Sequence, residues 1–471
     1  MNATSRTTLR CLVPALVLCA ATTASAQNVF SNLTTTSGGY HTWDSDLINI
    51  EKVTQTGLGV YVAVLDTGLV PNWRDYFPDA RVATHLGAGF YQAVSFKAKK
   101  DVCGLGVEVG ALRTDTWVGS RGSTHGTHVA STILGYSYYS NFDAVGGFAL
   151  PPIVVRGIAP DVMVIPIKVL ADYQVPALPK CGPGFAAGNA VFGTSAMVAA
   201  GIRYATDLKL AGFSPMVINM SLGGSELEPV EKAALDYAIA NGVIVVAAAG
   251  NEGETGMSYP GAYEPVISAG SVGWIREWIE PAGTPQVGPR YRMWWLKDGT
   301  LSIVPPLLEG SGDVVDPVTA NDVYVSDFSS RELAGQQLDV LAPGSWVRGP
   351  FPGDPGYNHL PWWSKGIGDL VGRNSGNFYY VGGTSMATPH VASLAALMLQ
   401  KNPTLTQAAV EATLKATALV IPANGSRTIF DFTTQNVTIT WDTNCGGAAC
   451  TAVGAGLIQA DAAIGATLPA P

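Results

Sequence analysis

The chain alternates between short, almost wholly apolar runs and longer segments in which apolar residues recur with helical spacing. The apolar runs lie at residues 60–65, 163–170, 216–221 and 243–249, and the helical patterns at 126–134, 193–211, 226–241, 385–400 and 405–417. Apolar runs of this length are typical of strands buried on both faces, and strands that alternate with helices indicate βαβ units. The sequence therefore predicts an α/β fold with a parallel central sheet and helices on both faces.

Polar residues stand where two of these elements end or begin. Asp66 follows the first apolar run and precedes Gly68, and His125 opens a helical segment three residues before His128. Asp66 alone would be an ordinary turn residue. The two histidines could suggest a metal site, but no third ligand is evident nearby, so a metal site is not predicted.

A serine occupies a corresponding position near the C-terminal end, in Gly382-Gly383-Thr384-Ser385-Met386-Ala387-Thr388-Pro389-His390-Val391-Ala392. Ser385 stands at the start of a helical run, where an isolated serine would be interpreted as an N-cap. Together with Asp66 and His125, however, it completes the acid, base and hydroxyl of nucleophilic catalysis. Ser385 would attack a carbonyl carbon, His125 would accept its proton, and Asp66 would orient the imidazole. The residues around Ser385 differ from the Gly-x-Ser-x-Gly of lipases and esterases.

These three segments, in the order Asp, His, Ser, resemble the motifs of the subtilisin-like serine peptidases, or subtilases. The resemblance covers roughly Trp43 to Ala418 and implies a subtilisin-like fold in one domain with loop insertions. It implies a serine endopeptidase that works through an acyl-enzyme intermediate and requires no cofactor for its chemistry. The stretch Val243–Gly253 resembles the oxyanion-hole segment of the family. Asn251 and the backbone N–H of Ser385 would then bind the oxyanion.

The resemblance also implies how a substrate binds. The stretch Val217–Gly224 is similar to the strand whose edge receives a peptide as an added strand. The implied substrate-binding residues are Ser221, Leu222, Gly223, Ala248, Ala249 and Gly250. Glu252 near the rim of this pocket permits large apolar or basic side chains, and we expect broad specificity with an apolar preference at P1. Structural calcium is common in the family, and Asp75 and Asp79 are candidate ligands.

The alternative function is a catalytically silent protein of the same fold that binds peptides along its strand edge. Such a protein would need none of Asp66, His125, Asn251 and Ser385. Because the chain keeps all of them, the endopeptidase is the favoured interpretation. Its partners would be protein or peptide substrates, and we expect a monomer.

The N-terminus has the pattern of a secretory signal peptide at residues 1–26, followed by the peptidase domain at 27–471. Two arginines precede an apolar core at 11–21, and Ala24-Ser25-Ala26 resembles a cleavage site. The core is too short for a membrane anchor. We therefore expect secretion, either extracellular or periplasmic. The formal net charge of −9 argues against a nucleic-acid partner.

Four cysteines follow the signal segment, and an oxidising compartment favours disulfides among them. Cys445 and Cys450 fit a local loop disulfide, and Cys103 with Cys181 would form the second. Three pairings are possible from the sequence.

Two departures from the family pattern have consequences. Only residues 27–59 separate the cleavage site from the first strand, which is too short for an independently folding propeptide domain, so we expect folding without one. The second departure is a tryptophan-rich insertion at about 274–325, with a hairpin expected at 290–303 around Asp298-Gly299. The tryptophans of this insertion and the following loops could form a satellite core, which is the favoured interpretation, or an exosite for protein substrates. They are Trp274, Trp278, Trp294, Trp295, Trp346, Trp362 and Trp363.

Overall fold

The computed structural model describes residues 33–100, 102–119, 123–138, 153–182, 187–279, 291–292, 314–352, 378–429 and 436–470. Its α-helices are α1 (Trp43–Asp46), α2 (Thr124–Leu134), α3 (Ser195–Leu210), α4 (Pro229–Ala240), α5 (Thr384–Lys401), α6 (Gln407–Thr417) and α7 (Ala460–Ala466). Its strands are β1 (Tyr61–Asp66), β2 (Ala88–Ala98), β3 (Leu105–Asp115), β4 (Gly135–Tyr138), β5 (Ile153–Arg156), β6 (Met163–Lys168), β7 (Ala171–Val175), β8 (Gly188–Phe192), β9 (Met216–Met220), β10 (Ile244–Ala248), β11 (Ile267–Trp274), β12 (Trp278–Ile279), β13 (Tyr291–Arg292), β14 (Val323–Val325), β15 (Val340–Pro343), β16 (Val347–Pro350), β17 (Phe378–Val381), β18 (Gly425–Ile429), β19 (Val437–Trp441), β20 (Asn444–Cys445) and β21 (Ala448–Ala449).

The main sheet has the strand order β14-β11-β10-β9-β1-β6-β2-β3, and β15 also pairs with β11. Its centre is parallel, whereas β14 and β3 run antiparallel to their neighbours. The predicted α/β fold is confirmed, with antiparallel strands added at its sides. The long hairpin of β2 and β3 was not predicted because most of its side chains reach solvent, so it lacks the apolar run of a buried strand.

Alternate side chains of the central strands divide the interior into two cores. On β1, Val62 and Val64 pack on the side of α2 and α5, whereas Ala63 and Leu65 pack on the side of α3 and α4. This period of two is the geometry of an extended strand, in which successive residues point to opposite faces. It explains why these strands are apolar at nearly every position and why helices cover both faces.

Three of the predicted site residues lie at the carboxyl edge of the sheet. Asp66 ends β1, Ser221 follows β9, and Asn251 lies three residues after β10. The turn after β1 requires glycine, because Gly68 has a φ of +80° and a Cβ there would lie 2.1 Å from the carbonyl oxygen of Trp117. Open α/β sheets bind ligands at this edge.

Two disulfides have the predicted pairing. Cys103 in the β2–β3 connection is bonded to Cys181 in the β7–β8 connection, and Cys445 is bonded to Cys450. The first bond joins two hairpins, and the second closes a short loop.

The structure describes residues 274–279, 291–292 and 314–325 of the tryptophan-rich insertion. Trp274 is buried in the main core and Trp346 packs against that core. The backbone of β12 pairs with that of β13. The predicted turn at Asp298-Gly299 and Trp294, Trp295, Trp362 and Trp363 lie outside the described residues, as does the predicted signal segment 1–26. Within the described ranges, no helix combines the length and the apolar character needed to cross a membrane.

Candidate active site

Asp66 and His125 form a two-point hydrogen bond. The Nδ1 atom of His125 lies 2.8 Å from Oδ1 and 3.0 Å from Oδ2 of Asp66. The carboxylate is fully buried, while the imidazole is 30% exposed. Because a carboxylate only accepts, the proton resides on Nδ1, and Nε2 is left with a lone pair. Nε2 can therefore act as a base.

The pKa of His125 reflects two opposing influences. Burial disfavours the charged imidazolium, but the charge of Asp66 and its hydrogen bond together outweigh burial and raise the pKa above its usual value. His128, one turn further along α2, differs. Burial and the neighbouring His125 lower its pKa to about 4, and its Nε2 lies 3.1 Å from the carbonyl oxygen of Val347. His128 therefore packs as a neutral side chain that donates to the backbone.

Ser385 is the second residue of α5, so its hydroxyl lies at a helix N-terminus, where developing negative charge is favoured. Its Oγ donates to the carbonyl oxygen of Ser221 at 3.2 Å, and Ser221 Oγ donates back to the Ser385 carbonyl at 2.8 Å. The structure thus brings Ser385 against the predicted substrate strand, with its hydroxyl directed at Ser221 rather than at His125.

Asn251 is oriented by the residue that precedes Ser385. Its Oδ1 accepts from the backbone N–H of Thr384 at 2.9 Å and from the Thr384 hydroxyl at 3.1 Å. The same hydroxyl accepts from the backbone N–H of Gly250 at 3.1 Å. Because Oδ1 already accepts these two hydrogen bonds, Nδ2 is the part of the Asn251 side chain that can donate to a bound oxygen atom. Thr384 was not assigned a role from the sequence, and its only signal there was its place beside Ser385.

The predicted substrate-binding residues lie in two segments at the carboxyl ends of β9 and β10. Ser221, Leu222 and Gly223 form the first segment, and Ala248, Ala249 and Gly250 form the second. The Ala249 carbonyl accepts from the Ser258 N–H at 2.8 Å, and Gly224 and Tyr259 exchange hydrogen bonds of 2.7 and 2.8 Å. The segment 258–259 therefore binds the second predicted segment directly and the first through the adjoining Gly224.

The candidate calcium ligands Asp75 and Asp79 have protein partners. Asp75 accepts from Asn72 at 2.9 Å, and Asp79 pairs with Arg74 at 2.8 Å on the surface. Among the residues that the structure describes, no cluster of three or more His, Cys, Asp or Glu side chains has a metal-binding arrangement. Two separately engaged carboxylates do not fit a calcium site, which requires six to eight oxygen ligands. Structural calcium stays an untested prediction.

Comparisons with known proteins identify the family of this chain. The model of the Subtilase family matches residues 57–447. The chain is 28% identical over 379 residues to subtilisin DY of Bacillus licheniformis, and the aligned region covers 79% of this chain and 89% of that protein. It is 29% identical over 367 residues to a subtilisin of Bacillus pumilus, and the aligned region covers 77% of this chain and 85% of that protein. The solved structure of fervidolysin from Fervidobacterium pennivorans has 25% identity and a TM-score of 0.48, over 91% of this chain and 46% of that one.

The family match extends over most of the chain and includes the segments of Asp66, His125, Asn251 and Ser385. The chain belongs to the subtilase family of serine endopeptidases.

Proposed function

We propose that this endopeptidase is secreted and cleaves proteins through a triad of Asp66, His125 and Ser385. The observation that carries the proposal is the two-point contact between the Asp66 carboxylate and His125 Nδ1. It fixes the tautomer that a general base requires, and Ser385 lies in the first turn of α5. An orienting carboxylate serves catalysis and has no use in a protein that only binds peptides.

In the proposed reaction, the Ser385 hydroxyl turns from Ser221 to His125 Nε2 and attacks the scissile carbonyl carbon. His125 takes the proton and then gives it to the leaving amine, while a covalent acyl-enzyme forms on Ser385. Asn251 Nδ2 and the backbone N–H of Ser385 stabilise the oxyanion. Water then releases the acyl group by the same steps in reverse order. These steps use side chains and backbone groups of the chain itself.

The proposed substrate lies extended along Ser221–Gly223 and Ala248–Gly250, with broad specificity and an apolar preference at P1. The preference is supported by Glu252, whose carboxylate accepts from the hydroxyls of Ser258 at 3.0 Å and Ser330 at 2.9 Å. A carboxylate already engaged in this way attracts a basic P1 side chain less strongly. Peptides that differ only at P1 should therefore show a higher kcat/KM for Phe or Leu than for Lys.

We further propose that the protein acts outside the cytoplasm as a monomer on protein substrates. Two disulfides support an oxidising compartment. The acidic balance of the chain, with a net charge of −9, supports the absence of a nucleic-acid partner.

Labelling with a fluorophosphonate serine probe tests the proposed nucleophile. We expect the purified protein to be labelled and to hydrolyse casein, and Ser385→Ala to lose labelling and about 10⁶-fold in kcat. Ser393→Ala is a matched control, because Ser393 is buried on the same helix and its hydroxyl has no hydrogen-bond partner among the described residues. A folded protein that takes up no probe and cleaves no casein would instead support the silent peptide binder.

A further inference from the structure

The turn that carries Asn251 closes around one buried side chain from a distant loop. The Ser330 side chain is fully buried, and its Oγ accepts from the Glu252 backbone N–H at 3.0 Å and donates to the Glu252 carboxylate at 2.9 Å. The Ser330 backbone N–H donates to the Gly250 carbonyl at 3.0 Å. One residue thus binds both neighbours of Asn251.

The packing of this turn leaves little freedom. Gly250 has a φ of +108°, and a Cβ there would lie 2.3 Å from the Glu252 carboxylate and 2.8 Å from Ser330 Oγ. The adjoining backbone continues the contact, because Gly253 N–H donates to the Phe328 carbonyl at 3.0 Å and Arg331 N–H donates to the Gly253 carbonyl at 2.8 Å. The loop at 328–331 therefore lies against the whole turn at 250–253.

We propose that Ser330 is a positioning residue that holds Asn251 in its oxyanion-binding orientation; this inference rests on the proposed role of Asn251. Thr384 fixes the carboxamide oxygen of Asn251, while Ser330 fixes the backbone from which the carboxamide projects. Without the Ser330 hydroxyl, the Glu252 N–H and carboxylate each lose a partner, and the turn relaxes. Because an oxyanion develops only in the transition state, the loss falls on kcat rather than on substrate binding.

A double-mutant cycle between Ser330 and Asn251 tests the inference. We expect Ser330→Ala to lower kcat about tenfold, with KM within about twofold, because small displacements of catalytic groups are costly. We expect Asn251→Ala to lower kcat by about 10²- to 10³-fold. In the Asn251→Ala background, adding Ser330→Ala should then change kcat by less than about twofold, since there is no carboxamide left to position.

Ser329→Ala is the matched control. Ser329 is the neighbouring buried serine, and its Oγ accepts from the Ser271 N–H at 2.9 Å, away from the turn. We expect this variant to lower Tm without lowering kcat. If Ser330→Ala fails to fold, Ser330→Cys takes its place in the cycle, because a thiol nearly keeps the size of the side chain but is a weak hydrogen-bond donor and acceptor.

The possible results distinguish the positioning role of Ser330 from the oxyanion-binding role of Asn251. A kcat loss for Ser330→Ala that is fully additive with Asn251→Ala would overturn the positioning role alone. An Asn251→Ala variant with normal kcat, in an enzyme that Ser385→Ala inactivates, would overturn the oxyanion role on which the inference rests.

Discussion

At the scale of single residues, the most consequential contact joins Asp66 to His125. The sequence placed a carboxylate at a strand end and a histidine at a helix start, 59 positions apart. The fold brings them together, with the carboxylate fully buried and the imidazole partly exposed. The buried carboxylate therefore holds Nδ1 of the ring, and Nε2 stays free of this contact.

The raised pKa of His125 predicts the acid limb of the pH–rate profile. Because a base must be neutral, kcat/KM should fall as the pH drops through a pKa above 6.5. Asp66→Asn removes the charge that raises the pKa, so the limb should move to lower pH, with about a 10⁴-fold lower kcat. The same shift stabilises the folded state below about pH 6.5, and this contribution is lost as the pH rises through the folded-state pKa.

Measuring kcat/KM from pH 5 to 9 checks this prediction. Asp75→Asn is the control, because it removes a carboxylate that contacts Asn72 and should leave the limb in place. An acid limb that stays at the same pH in Asp66→Asn would contradict the assigned origin of the pKa.

At the scale of elements, two hairpins extend beyond the parallel centre of the sheet. The β2–β3 and β7–β8 hairpins share aromatic contacts, with ring centroids 5.9 Å apart for Phe96 and Phe192 and also 5.9 Å apart for Tyr91 and Tyr173. The Cys103–Cys181 disulfide joins their connecting loops. Few other side chains of these strands are buried. We therefore expect the disulfide to contribute much of the stability of the two hairpins.

The two disulfides should differ in their effect on stability. They span 78 and 5 residues, and loop-closure entropy predicts about 4.5 kcal/mol for the first and about 2 kcal/mol for the second. Replacing Cys103 and Cys181 with serine should therefore lower the free energy of unfolding more than replacing Cys445 and Cys450. Chemical denaturation of both double variants measures the difference, and equal losses would refute the prediction.

At the scale of the whole molecule, segments near the two ends of the described chain meet beside α5. Ala460 N–H donates to the Ile48 carbonyl at 2.8 Å. Asp44 in α1 contacts Nε2 of His390 in α5 at 3.1 Å, and Nδ1 of that ring lies 2.8 Å from the Met386 carbonyl. Both ring nitrogens face acceptors, so the ring is bound between α1 and its own helix.

Breaking this buried pair should destabilise the entire domain. Asp44→Ala leaves Nε2 of His390 without its hydrogen-bond partner in the interior, and such losses cost about 1–3 kcal/mol. Asp79→Ala is the control, because it breaks the exposed pair with Arg74 and should cost less than about 1 kcal/mol. Urea unfolding measures both values, and a cost for Asp44→Ala as small as that of the control would show that the pair is dispensable.

The amino-acid sequence determined the alternation of strands and helices, the α/β fold and the family. It did so because burial on both faces requires continuous apolar runs, and because glycine turns and polar strand ends are local features. Asp66, His125, Asn251 and Ser385 were recognisable from such local patterns. Their catalytic roles stay predictions.

The tertiary structure alone decided which groups support those residues. Thr384 contacts Asn251 across 133 positions, Ser330 contacts Glu252 across 78, and Asp44 contacts His390 across 346. A serine, a threonine or an aspartate has many possible partners in a long chain, and no local pattern selects one of them. The selection is made when packed elements bring distant backbone segments within hydrogen-bonding distance, where most buried polar groups are paired.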